Sequence, residues 1–146
     1  EFSSNELRAE KEIVLAAVKE NDWAFAHASD ELRADKDFVL QVVSLKGRAL
    51  EFASNELKAD PEVVLAAALE YEWAFDHAAI ELISNRDFIL AAVKLHGLAL
   101  EYASEDLRSD REIVLAAVKQ NAEALVYASS DLRFDRELRL SAKLGN

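Results

Sequence analysis

The chain has 146 residues, 51% of them hydrophobic but only 8% aromatic, with one proline, three glycines and neither cysteine nor methionine. Its 28 acidic and 17 basic residues leave a net charge of −11, which repels phosphate backbones and argues against nucleic acid as a partner. The same composition excludes collagen-like, disordered and disulfide-rich classes, thiol catalysis and cysteine-ligated zinc, and no apolar run approaches the roughly 18 residues of a membrane span.

No signal peptide is visible. The chain therefore reads as cytoplasmic in type, with its compartment otherwise open. Methionine is missing even at position 1, so the expectation is an excised, processed or engineered piece.

Leu7, Leu32, Leu57, Leu82, Leu107 and Leu132 are spaced 25 residues apart without an insertion. They set units 7–31, 32–56, 57–81, 82–106 and 107–131, with partial units 1–6 and 132–146. The chain enters inside a unit: Glu1-Phe2 aligns with Glu51-Phe52, and Ser3 replaces Ala28 and Ala53. In the first full unit Glu10 precedes the apolar run Ile13 to Val18. A long helix of about ten residues is expected to end near Asn21. A shorter helix follows over Trp23 to Ala28, and then a final turn capped by Ser29 carries Leu32.

The second unit repeats this with Asp35, the run Phe38 to Val43, Gly47 and Ser54. The third has Asp60-Pro61, the run Val63 to Ala68 and Glu72, but Ala79 breaks the serine pattern. The fourth has Asn85, Phe88 to Val93, Gly97 and Ser104. The fifth has Asp110, Ile113 to Val118, Asn121 and Ser129. In the last unit Asp135 holds the cap slot, and Arg139 stands where Val114 stood, Ser141 where Ala116 stood and Lys143 where Val118 stood. Positions 139 and 143 share a helix face, and a polar outward face suits a terminal capping repeat.

The physics of one unit is consistent. Asp and Asn are favoured N-caps because the side chain accepts a bond from an orphan backbone N–H. Pro61 falls on the first helical position, where a missing N–H costs nothing. Glu12, Asp37, Glu62, Asp87, Glu112 and Glu137 place negative charge in the first turn, where the helix dipole favours it. Gly and Asn at the helix ends suit a left-handed stop. The long helix is apolar nearly all round, so it should be buried on several sides. Helix and final turn together are short for an ordinary hairpin, so part of the second helix is expected to be 3₁₀. Periods of 20–50 residues mark architectures in which each unit covers its neighbour. The fold expected is one all-α solenoid domain over 1–146, of helix–turn–short-helix units.

A 50-residue period overlies the first. Trp23-Ala24-Phe25 and His27-Ala28 recur as Trp73-Ala74-Phe75 and His77-Ala78. The units between carry Gly47 with Ala49–Ser54, and Gly97 with Ala99–Ser104.

Asp110-Arg111-Glu112 with Ile113–Lys119, and Ala99–Ser104 with Leu107–Asp110, resemble the tandem repeat called domain of unknown function 4116. The resemblance covers almost the whole chain. It implies a unit of about twice the 25-residue period, and a module of larger bacterial, protist or viral proteins. It brings no catalytic residues. By repeat length the unit also resembles leucine-rich-variant repeats, in which α and 3₁₀ segments alternate, a fold-level analogy only.

Candidate chemistry is absorbed by the repeat. His27 and His77 sit two units apart, roughly 16–20 Å at ordinary helix spacing, too far for one metal. They read as packing residues in the slot that Phe52, Tyr102 and Tyr127 hold elsewhere, and His96 as a solvated turn residue. Capping accounts for the acidic ladder of Asp35, Asp37, Asp60, Glu62, Asp87, Asp110 and Glu112, with Lys11, Lys36, Arg86 and Arg111 as counter-charges. No Gly-x-Ser-x-Gly elbow or phosphate loop is present. The expectation is no catalytic site, no cofactor and no metal.

The turn between the two helices varies most. Asn21, Lys46, Tyr71, His96 and Asn121 share one slot, and Trp23, Arg48, Trp73, Leu98 and Glu123 share another. Trp23, Arg48, Tyr71, Trp73, His96 and Leu98 form a candidate partner-binding ridge, since Trp, Tyr and Arg dominate interface energies. The competing reading has Trp23 and Trp73 filling space beside Gly47 and Gly97. The expected function is a non-catalytic repeat scaffold for a protein partner with a basic surface. Alternatives are an engineered or consensus array without a ligand, and an accessory repeat domain of a larger enzyme or effector. The N-terminal unit lacks a polar cap, so the chain is expected to be a monomer or to self-associate weakly through that end.

Overall fold

The structure, a computed structural model, describes residues 4–144 and is all-α; among the described residues no strand forms. The chain divides between Ala78 and Ala79 into two compact units.

The first unit contains α1 (Ser4–Glu20), η1 (Asp22–His27), α2 (Asp30–Arg33), α3 (Lys36–Leu45), η2 (Gly47–Phe52), α4 (Asn55–Lys58), α5 (Pro61–Glu70) and η3 (Glu72–His77), where η denotes a 3₁₀ segment. Here α3 packs between α1 and α5, and η2 packs between η1 and η3. The long helices thus make one layer and the 3₁₀ segments a second. The core between them includes Phe25, Phe38, Val39, Val42, Val43, Leu50, Val63 and Ala67, all nearly free of solvent. Burying one large side chain of this kind contributes about 1.5–3 kcal/mol.

The second unit contains η4 (Ile80–Ser84), α6 (Arg86–Leu95), η5 (Gly97–Tyr102), α7 (Glu105–Arg108), α8 (Arg111–Gln120), η6 (Ala122–Tyr127), α9 (Ser130–Arg133) and α10 (Arg136–Leu144). It repeats the arrangement, with α8 between α6 and α10 and η5 against η6. The 25-residue period is therefore a structural period within each unit.

Each long helix from α3 onward begins at the expected cap. The side chains of Asp35, Asp60, Asn85, Asp110 and Asp135 accept bonds from backbone N–H groups of the first turn at 2.9–3.4 Å. Glu10 is different, and the expectation of a helix start there is corrected. α1 runs without a break through Glu10, because a glutamate is long enough to be at home inside a helix and too long to close on its own first turn.

Its carboxylate does other work. Ser54, Ser104 and Ser129 donate their backbone N–H to the carbonyls of Arg33, Ile83 and Arg108 in the preceding short turn, at 2.8–2.9 Å. Ser29 occupies the same slot, but the matching residue, Arg8, lies inside a continuous helix, where its carbonyl serves the ladder. The Ser29 N–H donates instead to Glu10 Oε1 at 3.2 Å.

The short segments follow the sequence reading in part. The stretches after each long helix are wholly 3₁₀. Ser29 and Ser54 cap the final turns through their hydroxyls, each accepting from the register leucine N–H at 3.3 Å. Ser104 and Ser129 sit at the cap without a side-chain bond. Ala79 has no hydroxyl to offer, and the turn after it is 3₁₀ rather than α.

The left-handed stop is also corrected. Among the described residues none has a positive φ. The long helices end in extended residues, with φ of −143° at Lys46 and Tyr71, −137° at His96 and −150° at Asn121. The glycines serve close approach instead. A Cβ on Gly47 would stand 2.8 Å from Tyr71 Cβ and nearer still to the Ala67 carbonyl oxygen. One on Gly97 would meet the Ala117 oxygen at 2.5 Å. Each glycine N–H also donates across the layer, Gly47 to Glu70 Oε2 and Gly97 to Gln120 Oε1, both at 2.5 Å.

In the terminal unit Leu138 is buried while Arg139 and Lys143 are exposed, so the outward face of α10 is polar, in the pattern read from the sequence. The entry register at Glu1-Phe2 and Ser3 lies outside the described residues.

Candidate partner-binding surface

The turn residues occupy two fixed backbone positions. Tyr71 and His96 are corner residues that end α5 and α6, donating to Ala67 and Ala92 carbonyls and accepting from Ala74 and Ala99 N–H groups at 2.8–2.9 Å. Trp23, Arg48, Trp73 and Leu98 are each the second residue of a 3₁₀ segment. The apolar partners further along each segment, such as Phe25, Leu50, Phe75 and Leu100, are buried and anchor it.

In the first unit, neighbouring 3₁₀ segments place Trp23, Arg48 and Trp73 along one row. Trp23 is 48% exposed and Trp73 52% exposed. The Trp23 ring meets Phe52 at 5.3 Å between centroids, tilted by 54°. The Arg48 guanidinium stands 5.4 Å from the Trp23 ring centre, and its Nε lies 3.9 Å from Asp22 Oδ2. A guanidinium over an indole at an exposed site contributes about 0.5–1 kcal/mol. Tyr71 is half-buried, its Cβ close to Gly47. In the second unit His96 and Leu98 are both half-buried.

What crowds Gly47 and Gly97 is the end of the following long helix, through Ala67 and Tyr71 and through Ala117, Gln120 and Asn121. The two tryptophans keep about half their surface in solvent. His27 is exposed, which corrects its reading as a packing residue, and His77 is half-buried. Among the described residues no 3₁₀ segment precedes η1 to cover it. Among the described residues no group of three His, Asp or Glu is placed to hold a metal ion. No described helix is long and apolar enough to cross a membrane.

The acidic ladder is an ion-pair ladder. The cation that opens α3, α6 and α8 reaches the cap and second-position carboxylates of the next long helix, Lys11 within α1 reaches the cap of α3, and α5 opens with the uncharged Pro61. Lys11 meets Asp35 at 3.1 Å, and Lys36 meets Asp60 and Glu62, both at 2.9 Å. Arg86 meets Asp110 at 2.8 Å and Glu112 at 2.6 Å, and Arg111 meets Asp135 and Glu137, both at 2.6 Å. Burial pushes the Asp35 and Asp60 carboxyls up, but the cations and first-turn N–H groups outweigh it and hold them below the usual range. At Asp110 and Asp135 the bonds from Arg86 and Arg111 dominate, with the same result.

One apolar feature escaped the sequence reading. Phe134 is 75% exposed and Val126 64%, and with Ala122, Leu125 and Arg133 they line an open hollow of about 420 Å³ in the second unit. The signal was a phenylalanine where other units carry Ala34, Ala59, Ser84 and Ser109.

No curated protein and no solved structure matches the chain. A family model matches it in three consecutive segments, residues 1–33, 35–83 and 85–142, the second of which spans two 25-residue repeats. The chain belongs to the family described as domain of unknown function (DUF4116).

Proposed function

We propose that this chain is a non-catalytic repeat scaffold that binds a protein partner through its turn residues. The contact row is Trp23, Arg48, Tyr71 and Trp73 in the first unit, with His96 and Leu98 at the matching slots of the second. The observation that carries the reading is the half-exposure of two tryptophans at equivalent, anchored positions. Aromatic residues held rigidly at a surface bind with little loss of conformational freedom. The net charge of −11 favours a partner with a basic face and speeds its approach. Layered packing within each unit fixes the row, so partner choice would reside in the side chains at these slots.

The test compares wild type with Trp23→Ala and Trp73→Ala in affinity capture with cross-linking, alongside thermal melting. The expected result is loss of a specific basic partner while the melting temperature stays within about 2 °C. A large fall in melting temperature with capture unchanged would make the tryptophans packing residues and overturn the proposal.

A further inference from the structure

Arg33, Arg108 and Arg133 end the short helices α2, α7 and α9. Arg33 and Arg108 are half-buried, and the Nε of each is sealed from solvent without a hydrogen-bond partner among the described residues. The outer nitrogens differ. Arg33 pairs with Asp30 three residues back, and Arg133 donates to Ser130 at the same offset, at 3.3 Å. Glu105 stands at that offset from Arg108 and does not pair with it. The Arg108 guanidinium makes no hydrogen bond or ion pair among the described residues. A donor held out of water with no acceptor costs stability, and a charged donor costs more.

Arg108 lines a hollow of about 440 Å³ in the second unit, together with Ser109, Ser129, Ser130 and Arg133. It lies between two successive layers rather than on an end face. The layers are tied by the Ser129 N–H, which donates to the Arg108 carbonyl at 2.9 Å. The Ser129 hydroxyl makes no bond to the turn it precedes. The Ser130 hydroxyl oxygen accepts from Arg133, which leaves its O–H free to donate. Glu105 and Asp106 also line the hollow, and both are exposed. The place therefore offers two guanidiniums and two hydroxyls beside two exposed carboxylates. The first unit does not repeat it. There Ala34, Asn55 and Lys58 stand for Ser109, Ser130 and Arg133, and Asp30 already occupies Arg33.

We propose that this hollow binds one oxyanion, a carboxylate or a phosphate monoester, carried on a peptide segment with basic residues on either side. The oxyanion meets the donors that the chain itself leaves unanswered. Arg108 supplies a planar fork of N–H groups that matches two oxygens of a carboxylate or phosphate. Arg133 adds a second positive charge, and the Ser129 and Ser130 hydroxyls take the remaining lone pairs. Glu105 and Asp106 repel a free anion, and so does the net charge of −11. The same charges attract lysine or arginine on either side of the oxyanion. A free anion therefore binds weakly, and a peptide of mixed charge binds well. The site is built from the second unit alone and shares no residue with the turn row, so it does not depend on that row being a contact surface.

Isothermal titration of the whole chain with short peptides tests this. Each peptide carries lysines on both sides of a central residue, which is phosphoserine, glutamate or serine. The phosphoserine or the glutamate peptide should bind about tenfold or more tightly than the serine peptide, the scale of one charge-assisted fork. Whichever of the two binds more tightly identifies the oxyanion. On the same addition the Arg108 Nε–H resonance should shift in nitrogen-15 NMR. Arg108→Gln should erase the preference for the oxyanion while the melting temperature stays within about 2 °C, since the side chain makes no bond in the free chain. Arg108→Lys keeps the charge without the fork and should retain part of the preference. Equal binding of all the peptides, an Arg108 Nε–H resonance that does not move, or a preference that survives Arg108→Gln would each overturn the proposal.

Discussion

Replacing Gly97 with alanine separates two reasons for a glycine. Gly97 has no positive φ, so alanine can adopt its backbone conformation without strain. On conformational grounds alone the substitution would stabilise the fold by about 0.4–1 kcal/mol, through a less flexible unfolded chain. The packing gives the opposite sign. The new methyl would lie 2.5 Å from the Ala117 carbonyl oxygen, 2.9 Å from Gln120 Oε1 and 3.0 Å from Asn121 Cβ. Restoring ordinary contact with the carbonyl requires a shift of about 1 Å between η5 and the end of α8, both held by buried neighbours. Overpacking of this kind costs about 1–3 kcal/mol. The shift also stretches the bond from Gly97 N–H to Gln120, and a donor left without its partner adds about 1–3 kcal/mol. The expected net change is a destabilisation of about 2–4 kcal/mol, set by these terms less the entropic gain. Urea unfolding followed by circular dichroism measures it, with Gln120→Ala as a control for the hydrogen bond alone. A Gly97→Ala chain as stable as wild type, or more so, would refute the close-approach argument.

Burial at one repeat slot gives a second contrast: Ile113→Ala should cost about 2–5 kcal/mol, and Ile13→Ala below about 1 kcal/mol in dilute solution, both read from urea unfolding. Acid should weaken the fold through the ladder. Asp35, Asp60, Asp110 and Asp135 all have carboxyls held below 3.8, so their contribution is complete above that value and is lost as pH falls through the lower folded values. Asp110→Asn keeps the capping acceptor and removes the charge, so its stability should fall less between pH 5 and pH 2 than that of wild type, on the scale of a single carboxylate (about one proton of linkage). Ala79→Ser should supply the missing hydroxyl cap and raise the urea midpoint by up to about 1 kcal/mol of stability; no change would mean that the 3₁₀ turn there does not accept it.

The sequence carried most of the local structure. The register leucines and Asp35, Asp60, Asn85, Asp110 and Asp135 were legible because an N-cap and the run behind it are decided within four residues. The 3₁₀ character of Trp23–His27 followed from length, since too few residues remained for a full α-hairpin. The role of Gly47 and Gly97 was not legible. The atoms that decide it, around Ala67 and Ala117, lie about twenty residues away, and a glycine after a helix reads locally as a left-handed stop. Glu10 was ambiguous for a similar reason, since a helix can start at that slot or pass through it. In the turn row the slots were visible, but the rest of Trp23's setting was not. Its contacts with Phe52 and Arg48 come from sideways packing of neighbouring 3₁₀ segments, which one period in isolation does not contain.

The bonds that link successive layers within each unit recur at fixed offsets. Ser54 reaches back to Arg33, Gly47 reaches forward 23 residues to Glu70, and Arg86 reaches forward 24 and 26 residues to Asp110 and Glu112. Each of these offsets falls within a few residues of one repeat. A gene that gains or loses one whole 25-residue module inside a unit therefore rejoins the backbone bonds such as that of Ser54 to equivalent atoms, whereas the glycine bonds return only after 50 residues, because Leu45 and Leu95 stand in the slot of Glu70 and Gln120. An excision out of phase by even a few residues would strand them all at once. Copy number in this chain is consequently an easy quantity for evolution or an engineer to alter, and the phase of the edit is the one thing neither can neglect.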